Sequence, residues 1–276
     1  WLRQRGIEVP DPPEDIWLPT DDSPTAPSRI ATENSDTSYA TEHGLAYLRG
    51  MQGTPWFLHL GYYRPHPPFI ASAPYNTAHD PADTPAPTRA ASSAAEAEQH
   101  PFLARYINMI GKGSFFQDGQ GLCSEMSLEE IANMRAAYYG LITEVDDHLG
   151  RVLDFLKASG QYDNTLIMFT SDHGEQLGDH HLLGKLGYFD ESYHIPMVIR
   201  DPRDTADATR GTVVDAFTEA VDVMPTILDW LGAPAPRDCA GASLMPFVAG
   251  ETPANWRTEV HWEFDFRPYF AAAGKP

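Results

Sequence analysis

The sequence predicts an α/β protein with a mostly parallel central sheet, on three observations. Short apolar runs rich in β-branched and aromatic residues (Trp56 to Tyr63, Thr165 to Thr170, Ile195 to Ile199) alternate with segments of helical period. One of those helical segments is long enough to carry the chain back across a sheet between two parallel strands. An Asp and a His stand side by side just past the second run, where open α/β sheets gather their chemistry.

The elements follow in order. Pro10 to Pro27 is rich in Pro and Asp with little periodicity, and Ser35 to Gly50 reads as a short helix closing at Arg49-Gly50. Trp56 to Tyr63 is apolar almost throughout, as a central strand covered on both faces should be. It runs into the stiff turn Arg64-Pro65-His66-Pro67-Pro68. The stretch 71–101, dominated by Ala, Pro, Ser and Asp, is longer than an ordinary connection and is expected to be a lid or a disordered insertion. Ser127-Leu128-Glu129-Glu130 is a capping box. Behind it Ile131, Met134, Tyr138, Leu141, Val145, Leu149, Val152 and Leu156 recur at spacings of three and four until Gly160, which predicts one long helix with a buried face. The strand Thr165 to Thr170 follows, parallel to the first by a right-handed crossover. A further strand at Ile195 to Ile199 and a helix at Asp222 to Leu231 complete the pattern, and no internal repeat is present.

Composition bounds the setting. At 276 residues with 42% hydrophobic content, the chain can bury a large core as one domain or a tight pair, and it is read as a single domain fragment over 1–276. A formal charge of −20 argues against a nucleic-acid or anionic-membrane surface, since both demand basic patches. No stretch is apolar for the length of a bilayer. The opening Trp1-Leu2-Arg3-Gln4-Arg5 has neither initiator Met nor signal peptide, so an interior start is expected, with the cytoplasm as compartment. Cys123 and Cys239 form no C-x-x-C site and are expected to be unpaired, one disulfide being the alternative.

Asp172 and His173 pair a hard oxygen with a borderline nitrogen, a mixture that suits Mn²⁺, Zn²⁺ or Fe²⁺ better than the all-oxygen shell of Ca²⁺. The plain alternative is a strand-end Asp capping the next turn. Lys185, in a glycine-flanked loop, offers a compact cation for charge growing on an oxyanion, or is a solvated lysine. His66, held between prolines, is a mount for a general acid or oxyanion donor, or a turn histidine without a role. Arg64 would bind a substrate anion or pair with one of the many acids. His180 and His181 are adjacent and should point apart, His59 reads as a core histidine, and Asp146 and Asp147 as a solvated helix face.

Arg64-Pro65-His66-Pro67-Pro68, Ser171-Asp172-His173-Gly174-Glu175-Gln176-Leu177-Gly178-Asp179-His180-His181, Gly184-Lys185 and Tyr193-His194-Ile195-Pro196 together resemble the sulfatase branch of the alkaline phosphatase superfamily. The run from Gly178 to Asp190 is most similar to bacterial phosphonate monoester hydrolases, which also cleave phosphodiesters and aryl sulfates. The resemblance extends from Trp1-Leu2 to Glu263-Phe264-Asp265-Phe266-Arg267. It implies an alkaline phosphatase-like α/β/α sandwich whose N-terminal strands and nucleophile portion are absent here. It also implies a divalent metal on Asp172 and His173, with Mn²⁺ first and Zn²⁺, Fe²⁺ or Ca²⁺ as alternatives. His66 and Lys185 would be catalytic and, with Arg64, bind a small anionic ester, and the intact enzyme would be a homo-oligomer. The family's nucleophile is a formylglycine made from C-x-P-x-R. Neither Cys123-Ser124-Glu125-Met126 nor Cys239-Ala240-Gly241-Ala242 has that frame, and Thr25-Ala26-Pro27-Ser28-Arg29 meets it only with a threonine in a Pro-rich loop. The expectation is the middle portion of a metal-dependent hydrolase of phosphonate monoesters, phosphodiesters or sulfate esters. A choline- or aryl-sulfatase is the nearest alternative, and an inactive, interaction-only remnant the alternative of another class.

Overall fold

The computed structural model describes residues 1–11, 13–116, 119–263 and 265. Phe264, Phe266 and Arg267 at the end of the family-like stretch lie outside them. Its contacts divide the chain into two units, Trp1–Tyr162 with His173–Ile195, and Asp163–Asp172 with Pro196–Pro276.

The first unit is organised by two helices. α1, Asp36–Gly50, starts where Ser35 accepts a hydrogen bond from the Ser38 amide, and buries the small residues Thr37, Ser38, Thr41 and Gly44. Two short helices follow, α2 (Ser93–Ala97) and α3 (Pro101–Ile107). α4, Leu128–Ala158, begins at the expected Ser127/Glu130 capping box and ends within two residues of Gly160. Its buried face holds Ile131, Met134, Leu141 and Leu156 as the periodicity predicts, together with Arg135, Glu144 and His148. The polar three are satisfied: Glu144 accepts from Ser35 Oγ at 2.6 Å, and His148 Nδ1 lies 2.9 Å from Thr41 Oγ1 and 3.1 Å from an Arg151 donor. Burial pushes the Glu144 carboxyl up and the His148 imidazole down. Phe69, Ala71, Cys123, Met126, Ile131, Met134, Leu141 and Leu183 form the core.

The stretch 71–101, expected to be a lid or a disordered insertion, packs on α4 through its first turns. A Cβ on Gly140 would stand 2.2 Å from the Tyr75 carbonyl oxygen, so only glycine admits that approach. Tyr75 donates to Asp147 Oδ2 at 2.7 Å, and His79 Nε2 meets Thr143 Oγ1 at 2.8 Å.

Residues 56–63 depart from the expected doubly covered strand. Trp56, Leu58, Leu60 and Tyr62 face inward, with Leu58 and Leu60 against Gly44 of α1, whereas Phe57 (66% exposed), His59 and Tyr63 face out. The alternation is that of a strand with one covered face. It also removes His59 from the core. The expected parallel ladder is not present among the described residues: their one sheet pairs β1 (Ile167–Thr170) with β2 (Met197–Arg200) in antiparallel register, Thr170 opposite Met197. Between these strands the chain turns back on itself, through α5 (Asp190–Tyr193) in the first unit.

The second unit carries that sheet, α6 (Val223–Trp230) and α7 (Met245–Val248). Asp222 ties several of its segments together. The carboxylate takes two hydrogen bonds from Arg257 and one each from the Glu219 and Ala242 amides. No helix of the described residues is long and apolar enough to cross a membrane.

Candidate active site

Arg64 braces the turn that presents His66. Its guanidinium is buried, donates to the His66 and Pro68 carbonyls at 3.2 and 2.7 Å, pairs with Asp36 at 3.4 Å and lies over the Trp17 ring. These contacts correspond to the ion-pair alternative for Arg64. His66 is exposed and rests on Tyr63, ring centroids 4.5 Å apart. Its Nδ1 lies 2.8 Å from the Pro67 carbonyl. A carbonyl only accepts, so Nδ1 is the donor in this contact.

His173 and Lys185 are brought together. Lys185 Nζ stands 2.7 Å from His173 Nε2, and His173 Nδ1 lies 2.8 Å from the Gly174 carbonyl. With the Gly174 carbonyl as acceptor and Lys185 as donor, these contacts match the tautomer with its proton on Nδ1 and its lone pair on Nε2. That is the tautomer a metal-bound histidine adopts, and the backbone carbonyl on Nδ1 is the usual means of holding it. His66 hydrogen-bonds neither residue.

The loop joining the pair is closed by Glu175, which sequence reading missed. Its Oε1 accepts from the Leu177 amide at 3.3 Å and from the Gly184 amide, while the Gln176 amide donates to the Gly184 carbonyl at 2.9 Å. Burial pushes the Glu175 carboxyl up to about 7, against the pull of those amides and of Lys185. Nothing in the spacing of the sequence marks a carboxylate that binds its own loop. Gly174 is a second fixed point: its amide donates to the Ser192 carbonyl at 2.8 Å, and a Cβ there would fall 2.0 Å from the Glu191 carbonyl oxygen. α5 therefore packs directly on the residue next to His173.

Asp172 belongs to the second unit, where it follows β1 by two residues and is exposed. No group of three or more His, Cys, Asp or Glu side chains that could hold a metal ion is assembled among the described residues. In chemistry alone, a carboxylate and an imidazole are donors suited to a divalent transition-metal ion. His180 and His181 do point to different partners, His180 to Glu96 and His181 to the Ala90 carbonyl. Cys123 and Cys239 are both free thiols, Cys123 buried.

The sulfatase family model matches residues 7–233. The multifunctional alkaline phosphatase superfamily protein PehA of Trinickia caryophylli is 54% identical over 275 residues, 98% of this chain and 53% of the relative. An arylsulfatase of Clostridium perfringens is 30% identical over 231 residues, 83% of this chain and 45% of the relative. The crystal structure of the phosphonate monoester hydrolase of Agrobacterium radiobacter matches with a TM-score of 0.89 at 43% identity, covering 96% of this chain and 53% of that one. The chain spans about half the length of the relatives it matches. The likeness bears out the α/β fold.

Proposed function

The chain belongs to the sulfatase family, and from that premise we propose that its protein is a metal-dependent hydrolase of phosphonate monoesters, with phosphodiesters and sulfate esters as further substrates. The observation that carries the reading is the contact between Lys185 and a His173 held in ligand tautomer.

Asp172 and His173 would hold the metal, with Mn²⁺ first and Zn²⁺, Fe²⁺ or Ca²⁺ as alternatives. When bound, such an ion neutralises the ester's non-bridging oxygens as a Lewis acid. A metal held on His173 would use the Nε2 lone pair, and Lys185 would then turn to the substrate. Its stem is flexible and its ammonium then meets the anionic substrate, where it stabilises charge that grows as the bond to phosphorus or sulfur breaks. His66, its Nδ1 proton fixed on Pro67, donates from Nε2 to the leaving oxygen when protonated. The covalent nucleophile, a formylglycine by family resemblance, has no C-x-P-x-R source in these residues.

The relative named as an arylsulfatase favours aryl sulfates as the second substrate class. The test is hydrolysis of a phosphonate monoester and an aryl sulfate by the complete protein with added Mn²⁺. Turnover of the phosphonate ester supports the proposal. Turnover of the sulfate alone assigns a sulfatase, and turnover of neither sinks both.

A further inference from the structure

Three non-glycine residues of one short loop, Leu177, His180 and His181, have φ of 49°, 53° and 58°. Side chains disfavour that region, so such a cluster persists only where neighbouring contacts over-determine it. The contacts are here. Arg135, 4% exposed, donates to the Leu177 carbonyl, the Pro85 carbonyl and Asp179 Oδ1 at 2.9, 2.8 and 2.8 Å. The His180 amide donates to the Thr88 carbonyl at 2.9 Å.

The His180 side chain continues the path. Its Nδ1 meets Glu96 Oε1 of α2 at 3.0 Å, and Glu96 is 1% exposed. On the other side, Nε2 lies 3.6 Å from Glu191 Oε2 of α5. The ring stacks on Phe189, which precedes α5, with centroids 3.5 Å apart and planes at 4°. His180 thus stacks on the residue that leads into α5 and lies near a carboxylate of α5, and α5 is the element that packs on Gly174.

We infer that His180 is a positioning residue for His173: bridging Glu96 and Glu191, it holds α5 against Gly174 and so fixes the imidazole that Lys185 touches. The inference rests on the reading of His173 as a metal ligand, and it gives the 71–101 stretch, which contributes Glu96, a part in shaping the site.

The experiment uses the complete protein and His180→Asn, because Asn tolerates positive φ and keeps a donor toward Glu96 while losing the stack and the Glu191 contact. The first readout is amide exchange in metal-free protein at Gly174. Protection falling about tenfold or more supports the inference, and protection within twofold of wild type overturns it. The second is the Kd for Mn²⁺ by calorimetry, expected to rise about tenfold or more, as for other groups that orient metal ligands. An unchanged Kd overturns it. Glu191→Gln, which alters a partly exposed group, should move both readouts in the same direction and decides the matter if the Asn variant does not fold. A wild-type protein that binds no Mn²⁺ defeats the metal reading of His173, while the exchange readout still tells whether His180 holds Gly174.

Discussion

Replacing Gly140 by Ala should destabilise the protein even though Ala is the better helix former. Gly140 lies within α4, where Gly→Ala ordinarily stabilises by about 0.5–1 kcal/mol. Its new Cβ, however, would stand 2.2 Å from the Tyr75 carbonyl oxygen, where ordinary contact begins at 3.4 Å. The obstacle is backbone and cannot swing aside. Residues 71–101 must retreat by about 1 Å, at an overpacking cost of roughly 1–3 kcal/mol. The net is a loss of up to about 2.5 kcal/mol. Gly150 lies on the same helix, and a methyl added there would meet nothing within 4 Å, so Gly150→Ala should gain about 0.5–1 kcal/mol. Urea denaturation of both variants gives the two signs, and limited proteolysis should show earlier cleavage within 71–101 for Gly140→Ala. Equal stabilisation by the two substitutions would refute the docking of that stretch on α4.

Arg257→Ala strands the Asp222 carboxylate, whose side chain is 0% exposed, and should cost about 3–5 kcal/mol in urea denaturation, a loss under about 1 kcal/mol contradicting its burial. Burial opposes the Asp222 charge, but Arg257 and two backbone amides hold its carboxyl below the usual range. A depressed folded value contributes stability above the unfolded aspartate range, near 3.9, and loses it as pH falls through the folded value, so melting should drop below about pH 4 and less steeply in Asp222→Asn. Cys123, buried and with its thiol pushed up to about 12, should resist a thiol reagent at pH 8 until the protein unfolds; labelling mapped by mass spectrometry at native Cys123 would contradict this. The 276-residue chain expressed alone should turn over neither ester with added Mn²⁺, and multiple turnovers would point to a nucleophile within it, Thr25 being the first to replace.

The helices α1, α4 and α6 were legible because caps and periodicity are local properties of the chain. So was the β1 run with Asp172 and His173 behind it, and the lysine that meets His173. The partner of a strand is not local: the apolar run 56–63 announces burial without naming what buries it, and its alternation emerges only when Leu58 and Leu60 find α1. Arg135, Glu144 and His148 fall on the buried face of α4, but their side chains read as surface until carbonyls and hydroxyls elsewhere receive them. The 71–101 stretch binds through the carbonyls of Tyr75, Pro85, Thr88 and Ala90, which every residue possesses and composition cannot encode.

In the proposed mechanism Lys185, which stands beside His173, serves the substrate in turnover. The steady-state kinetics of Lys185→Ala in the complete protein, with a phosphonate monoester and saturating Mn²⁺, test it most directly. Loss of one charge-stabilising donor should lower kcat by about 10²–10³ with a smaller change in KM. A kcat equal to that of wild type would remove Lys185 from the chemistry, and with it the site built around its contact to His173.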